Sequence, residues 1–382
     1  MKRIYFDNSS TSFPKAPGVS DEMKRMIDLG AFNINRGGYE EAYQVAAQVL
    51  ETRQLLCECF GFDKPRNVVF TPNITTSLNH LIKGFLRPGD HVLTSSMEHN
   101  AVIRPLVQME RQGISFDAVP CNPDGTLDPQ RLEEQIGPRT RAVILTAASN
   151  VCGTFLPLEE IGEICQRHGL AFILDTAQKA GPFPISMNRL HVDALCFTGH
   201  KGLLGPQGIG GMLLTDRMAH ETEPLLAGGT GSASHLEEMP QFMPDRFEAG
   251  TMNLPGILGL RAALKYLQTR APGELADHEL ALAMAMHRGL QGRKGVRTVG
   301  LDTPEGRAAI VSVDFYEDDN ARIAFELENR YGILTRVGLH CAPRAHETLG
   351  TYPGGTVRFS FGWDNTMDEV AYALEALERI LG

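Results

Sequence analysis

Between about residue 67 and residue 215, short apolar runs alternate with amphipathic stretches, and this rhythm constrains the fold more than any other feature of the chain. The spacing predicts strands over 67–71, 91–94, 142–146, 170–175, 194–197 and 209–214, with helices over 74–86, 101–112 and 158–168 between them. Near-continuous apolar strands separated by helices indicate an α/β protein with a mainly parallel sheet covered on both faces. In such sheets ligands bind beyond the carboxyl ends of the strands. The polar residues singled out below each follow an apolar run.

The chain has 382 residues, enough for a large core and a second unit. A glycine-rich connection, Gly228–Gly229–Thr230–Gly231–Ser232–Ala233–Ser234, interrupts the pattern. A smaller unit follows, with helices over 277–289, 320–331 and 367–381 and strands over 309–315 and 357–361. The expected division is an N-terminal segment 1–20 associated with the smaller unit, a large domain 21–265 and a small domain 266–382. A net charge of −10 argues against a nucleic-acid partner. No run of eighteen apolar residues and no signal-peptide pattern occurs, so a cytoplasmic protein without membrane association is expected. Seven cysteines without a C-x-x-C pair suit reduced thiols better than disulfides or a zinc site, and no metal is expected. Cys57 and Cys59 lie in a helical pattern that favours core packing.

Thr198–Gly199–His200–Lys201–Gly202 places a lysine directly after an apolar strand. A lysine beside glycines is ordinarily a solvated turn residue. The Walker spacing is absent, which removes the phosphate-loop reading. A third reading is a lysine at the floor of a pocket, where lost hydration lowers its pKa and frees its amine to condense with an aldehyde. Asp175, ending another buried run, needs a cationic partner or hydrogen bonds. Thr75 and Thr76 open a helix, where hydroxyls and free amides either cap the helix or bind phosphate. His99 follows a strand as a capping residue or as a ring stacked on a planar cofactor. Asn150 is a loop amide or a donor to a phenolic oxygen. Taken together, these features describe a site for pyridoxal 5′-phosphate.

The chain also resembles a known family along nearly its whole length. Tyr5–Phe6–Asp7–Asn8–Ser9–Ser10–Thr11, Asn35–Arg36–Gly37–Gly38, Thr75–Thr76, Glu98–His99, Ser149–Asn150–Val151, Asp175–Thr176–Ala177–Gln178 and Thr198–Gly199–His200–Lys201 carry the likeness. So do Arg246–Phe247–Glu248–Ala249–Gly250–Thr251, Arg336–Val337–Gly338–Leu339–His340–Cys341 and Gly355–Thr356–Val357–Arg358–Phe359–Ser360. It is similar to fold-type I, class-V aminotransferase-group enzymes, and within them to cysteine desulfurases of the selenocysteine-lyase-like branch. The resemblance implies that Lys201 holds the cofactor aldehyde, Asp175 pairs with the pyridine nitrogen and His99 stacks on the ring. Gln178 is implied at the phenolic oxygen, with Thr76, Thr198 and His200 at the phosphate. A homodimer is implied as well, in which Thr251 reaches the neighbouring subunit's phosphate. Asn8, Arg36, Asn150 and Arg358 form the implied substrate-binding set.

By residue type Cys341 is a buried hydrophobe, but its place in the resembling motif makes it the sulfur acceptor. Arg336 and His340 flank it and are expected to favour its thiolate. The implied reaction converts L-cysteine to L-alanine and leaves a persulfide on Cys341, for transfer to an unidentified acceptor protein, with Arg358 clamping the substrate carboxylate. Ser77 stands where the family pattern has an acidic residue, and the segment after Cys341 differs from the common form. The competing readings are a selenocysteine lyase, a class-V aminotransferase or amino-acid lyase, and a catalytically silent scaffold.

Overall fold

Alternate residues of the same strands enter two separate cores, which is why those strands read as continuous apolar runs. Val143, Leu145, Phe172, Leu174, Leu195 and Phe197 pack on one face of the sheet. Ala142, Ile144, Ala171, Ile173, Ala194 and Cys196 pack on the other. In this computed structural model, which describes residues 3–30, 32, 34 and 38–382, the sheet has seven strands. Their order is Val68–Thr71, Gly210–Leu214, Ala194–Thr198, Ala171–Asp175, Thr140–Thr146, His91–Ser95 and Ser115–Val119. Gly210–Leu214 runs antiparallel to both neighbours and every other pairing is parallel. Helices Ile74–Phe85 and Asn100–Glu110 cover one face, while Glu40–Cys59 and Leu158–His168 contribute to the core of the other. Each large apolar side chain so enclosed stabilises the fold by roughly 1.5–3 kcal/mol.

The smaller unit is a four-stranded antiparallel sheet in the order Arg336–Gly338, Thr356–Ser360, Ile310–Asp314, Arg297–Val299. Its core draws on helices Glu274–Leu290, Asn320–Tyr331 and Met367–Leu381. Ile4 and Phe6 lie in that same core. The strand Ile4–Tyr5 pairs in parallel with Ile333–Leu334, and Asp7 bridges to Ser360. The N-terminal segment then turns back to the large sheet, where Ser12 N donates to the His200 carbonyl at 2.8 Å and Ala16 N to that of Leu204 at 3.0 Å. Helix Leu254–Gln268 runs across the expected 265–266 boundary.

The glycine after Lys201 has a steric cause. A β-carbon at Gly202 would overlap the Ala180 carbonyl oxygen. The Lys201 turn therefore sits against the loop that follows Asp175. No helix among the described residues is long and apolar enough to cross a membrane.

Candidate active site

Two strand ends and the turn after the second build the floor of the site. Asp175 ends Ala171–Asp175, Thr198 ends Ala194–Thr198, and Lys201 follows three residues later. Asp175 is buried and accepts the Ala177 N–H at 2.9 Å. Burial pushes its carboxyl above the usual carboxylate range, opposed by that hydrogen bond and by the charge of Lys201. Burial in turn pushes the Lys201 amine down to about 8, against the pull of Asp175, and Arg358 and Arg336 lower it further. A lowered amine is what the pocket-lysine reading expects.

Thr76 opens helix Ile74–Phe85 with its backbone N–H and hydroxyl both bonded to the cap residue Asn73, at 2.9 and 3.2 Å. Thr75 is exposed beside it. Ser77 is buried against the Thr71 hydroxyl at 2.8 Å, so it faces the core. Thr198 Oγ1 and His200 Nδ1 are buried without a hydrogen-bond partner among the described residues. Burial, then Lys201 and Lys15, lower the His200 pKa to about 4. The exposed Thr251 shares a cavity of about 210 Å³ with Thr76 and His80 of its own chain.

His99 is both a cap and a cleft residue. Its Nδ1 accepts the Ala101 N–H at 3.0 Å, which leaves the proton of the neutral ring on Nε2. Burial and the neighbouring cations Lys201, Arg336, Arg104 and Arg358 lower its pKa to about 4, so the ring is neutral at pH 7. The preceding Glu98 is buried and pushed up to about 8, with Oε1 held by Ser95 and the Thr146 N–H and Oε2 without a partner among the described residues. Asn150 donates to the His340 carbonyl at 2.7 Å. Gln178 donates to the Ser9 carbonyl at 3.1 Å. Asn8 Nδ2 donates to the Ser360 carbonyl and to Asn365 Oδ1, each at 3.2 Å, and its Oδ1 accepts the Phe13 N–H. Asn8 and Gln178 line a small cavity that also includes Lys201 and the buried Glu279. Arg36 lies outside the described residues.

Cys341 is the exposed cysteine; Cys59 is half-buried and the other five are buried. Arg336 Nη2 donates to its sulfur at 3.6 Å and is its cationic neighbour. His340 does not share that role. Its ring is buried, bonded through Nε2 to the Thr356 hydroxyl at 3.0 Å, and burial holds it neutral far below its ordinary pKa. His340 and Cys341 both take left-handed backbone conformations, with φ of 48° and 60°. Arg358 is buried, donating from Nη1 to the Asn150 carbonyl and from Nη2 to Asp7 Oδ1, each at 2.9 Å. Asp7 and Ser10, which hold it, fall in a quoted motif without a role of their own, and no local sequence signal shows that they meet strand Thr356–Ser360.

Comparison with known proteins places this cleft in context. A family model for class-V aminotransferases matches residues 4–372. The chain belongs to the class-V aminotransferase family. A probable cysteine desulfurase of Methanothermobacter thermautotrophicus is 30% identical over 384 residues, covering 99% of this chain and 95% of the relative. The apo structure of a cysteine desulfurase from Thermococcus onnurineus NA1 superposes with a TM-score of 0.92 at 30% identity, over 99% of this chain and 94% of that one. A cystine C–S lyase in complex with its reaction product cysteine persulfide superposes at 0.84 with 26% identity, over 98% and 97%. The class-V match takes in Asp7 and Ser10 as well as Lys201, Cys341 and Arg358. The whole described cleft therefore belongs to the matched length.

Proposed function

We propose that this protein is a pyridoxal-phosphate-dependent cysteine desulfurase that forms L-alanine from L-cysteine and takes the sulfur onto Cys341. The observation that carries the reading is the exposed Cys341 thiol, contacted by Arg336, in an electrostatic neighbourhood that Lys201 and Arg358 share with Arg336. The full-length similarity to cysteine desulfurases supports it.

The donor set fits the cofactor. Asp175 is a buried carboxyl group that a pyridinium N–H would satisfy, and the bare Thr198 hydroxyl and His200 nitrogen suit a phosphate. Thr75 and Thr76 at the helix start add to that end. Bound there, pyridoxal phosphate would supply an electron sink that labilises the α-proton of an amino acid. Asp175 would keep a proton at the ring nitrogen, His99 would flank the ring as a neutral imidazole, and Gln178 and Asn150 would serve its phenolic side. Lys201 would hold the aldehyde and then move the substrate α-proton, for which an amine titrating near neutrality is suited. Arg358 would orient the substrate carboxylate, with Asn8 and Arg36 completing the substrate set. Cys341 would attack the substrate sulfur: its S–S bond forms as the substrate C–S bond breaks, and the thiol proton completes the methyl group of alanine.

The amine of Lys201 sets a pH test. Cofactor uptake needs the neutral amine, about one tenth of the population at pH 7 for a group titrating near 8. Uptake by cofactor-free protein, followed by absorbance, is expected to reach half its maximum near pH 8 and to level off above about pH 9. A rate still climbing beyond pH 10 would show an unshifted lysine. For Arg358→Lys, KM for cysteine is expected to rise about tenfold with kcat changed less, because lysine keeps the charge and loses the fork. Steady-state kinetics check the split.

The reading extends to a homodimer in which Thr251 completes the partner subunit's phosphate site, supported by exposed Leu225, Leu226, Leu236 and Phe242. It also extends to two domains joined near residue 265, a cytoplasmic location and a thiol-bearing acceptor protein. The deciding experiment incubates the protein with L-cysteine and, separately, L-selenocysteine, and measures alanine and reduced chalcogen. Alanine from cysteine without a keto acid supports the desulfurase. Pyruvate in its place supports a lyase, and alanine from selenocysteine alone supports a selenocysteine lyase.

A further inference from the structure

The guanidinium that would receive a substrate carboxylate is already engaged. The Arg358 side chain is 1% exposed. Its Nη2 donates both to Asp7 Oδ1 at 2.9 Å and to Ser10 Oγ at 2.8 Å, its Nη1 is held by the Asn150 carbonyl, and its Nε is buried without a partner among the described residues. Asp7 is 20% exposed, so water reaches this partner. Ser10 ties the group together, donating to Asp7 Oδ1 at 2.7 Å and accepting from Arg336 Nη1 at 3.1 Å. A carboxylate cannot form a two-point fork across Nε and Nη2 of Arg358 while Asp7 and Ser10 take both Nη2 hydrogens.

We propose that Asp7 is an internal counter-ion standing in the position of the substrate carboxylate on Arg358, and that substrate binds by displacing it. This rests on Arg358 being the carboxylate site. Binding is then an exchange of one ion pair for another. Asp7 neutralises a buried cation in the empty site and lowers the affinity for every carboxylate by the strength of the pair it must surrender. Asp7 thereby sets the affinity for carboxylate ligands. An orienting brace would act in the opposite sense: its loss would leave Arg358 misplaced and weaken carboxylate binding.

Calorimetric titration of the cofactor-loaded protein with propionate, and with the uncharged isostere propionamide, separates the two and needs no turnover. For Asp7→Asn, propionate is expected to bind about tenfold more tightly than to the wild type, with propionamide unchanged. Equal or weaker propionate binding overturns the proposal. Arg358→Gln is expected to abolish the propionate response; a wild-type response in that variant shows that Arg358 is not the carboxylate site and removes the basis of the proposal. Alanine production from cysteine by the wild type tests the desulfurase reading separately. Should Asp7→Asn not fold, the wild-type crystal structure with L-alanine decides. Separation of Asp7 from Arg358 beyond about 4 Å, with the ligand carboxylate on Arg358, is expected. An intact Asp7–Arg358 pair beside a carboxylate bound to Arg358 overturns the proposal.

Discussion

Cys341→Ala is expected to leave a folded, cofactor-binding protein that no longer makes alanine from L-cysteine. The side chain is exposed, so its loss opens no core cavity. The backbone at 341 is left-handed, with φ of 60°, and alanine meets the same strain there as cysteine. The Cys341 carbonyl, which accepts the Asn100 N–H at 2.8 Å, is untouched. What disappears is the one thiol that Arg336 contacts. Exchange of the substrate α-proton with deuterated solvent should persist, because Lys201 and Asp175 are intact, while alanine formation falls roughly 10³-fold or more. Selenocysteine should suffer less, since a selenolate leaves more readily than a thiolate. A brief cysteine pulse on the wild type should add one sulfur to the peptide carrying Cys341, read by mass spectrometry. Alanine production by the variant at the wild-type rate would move sulfur acceptance to another group.

Lys201→Ala is expected to abolish the covalent link to cofactor and with it turnover, by roughly 10³-fold or more. Asp175 loses the neighbouring cation that opposes the effect of burial, so its carboxyl rises further. A second lysine lies nearby, but Lys15 Nζ is spent on Thr11 Oγ1, Ser12 Oγ and the His200 carbonyl at 3.0–3.2 Å. Borohydride treatment followed by peptide mapping checks the outcome. A labelled peptide in the variant would identify another amine as the cofactor anchor.

The central strands were legible because both their faces are buried, which leaves an uninterrupted apolar run in the sequence. Ser115–Val119 was not, because it is the edge strand and only Val119 is fully buried. Arg297–Val299 and Arg336–Gly338 are three residues each, too short for any period to register. Ile4–Tyr5 takes its form from a partner at 333–334, for which no local signal exists. In the site, Lys201 and Asp175 announced themselves as charges closing buried strands. His340 misled, because a histidine beside a thiol reads as a cation until its burial against Thr356 is known. The pairing of Asp7 with Arg358 depends on the N-terminal segment lying along strand Thr356–Ser360, 351 residues away.

The turn bearing Cys341 is moored at two successive carbonyls, His340 by the Asn150 amide and Cys341 by the Asn100 N–H. If Cys341 takes sulfur as proposed, sulfur delivered onto such a turn would stay where it lands. With its backbone held at both carbonyls, the thiol would move chiefly by its own side-chain torsion and would not ferry cargo outward as a long loop would. On the proposed reading, handover would become a problem of access: a recipient would have to bring its own nucleophile down to the cleft mouth, and the fit of that incoming group, rather than any excursion of Cys341, would govern how fast the cargo departs.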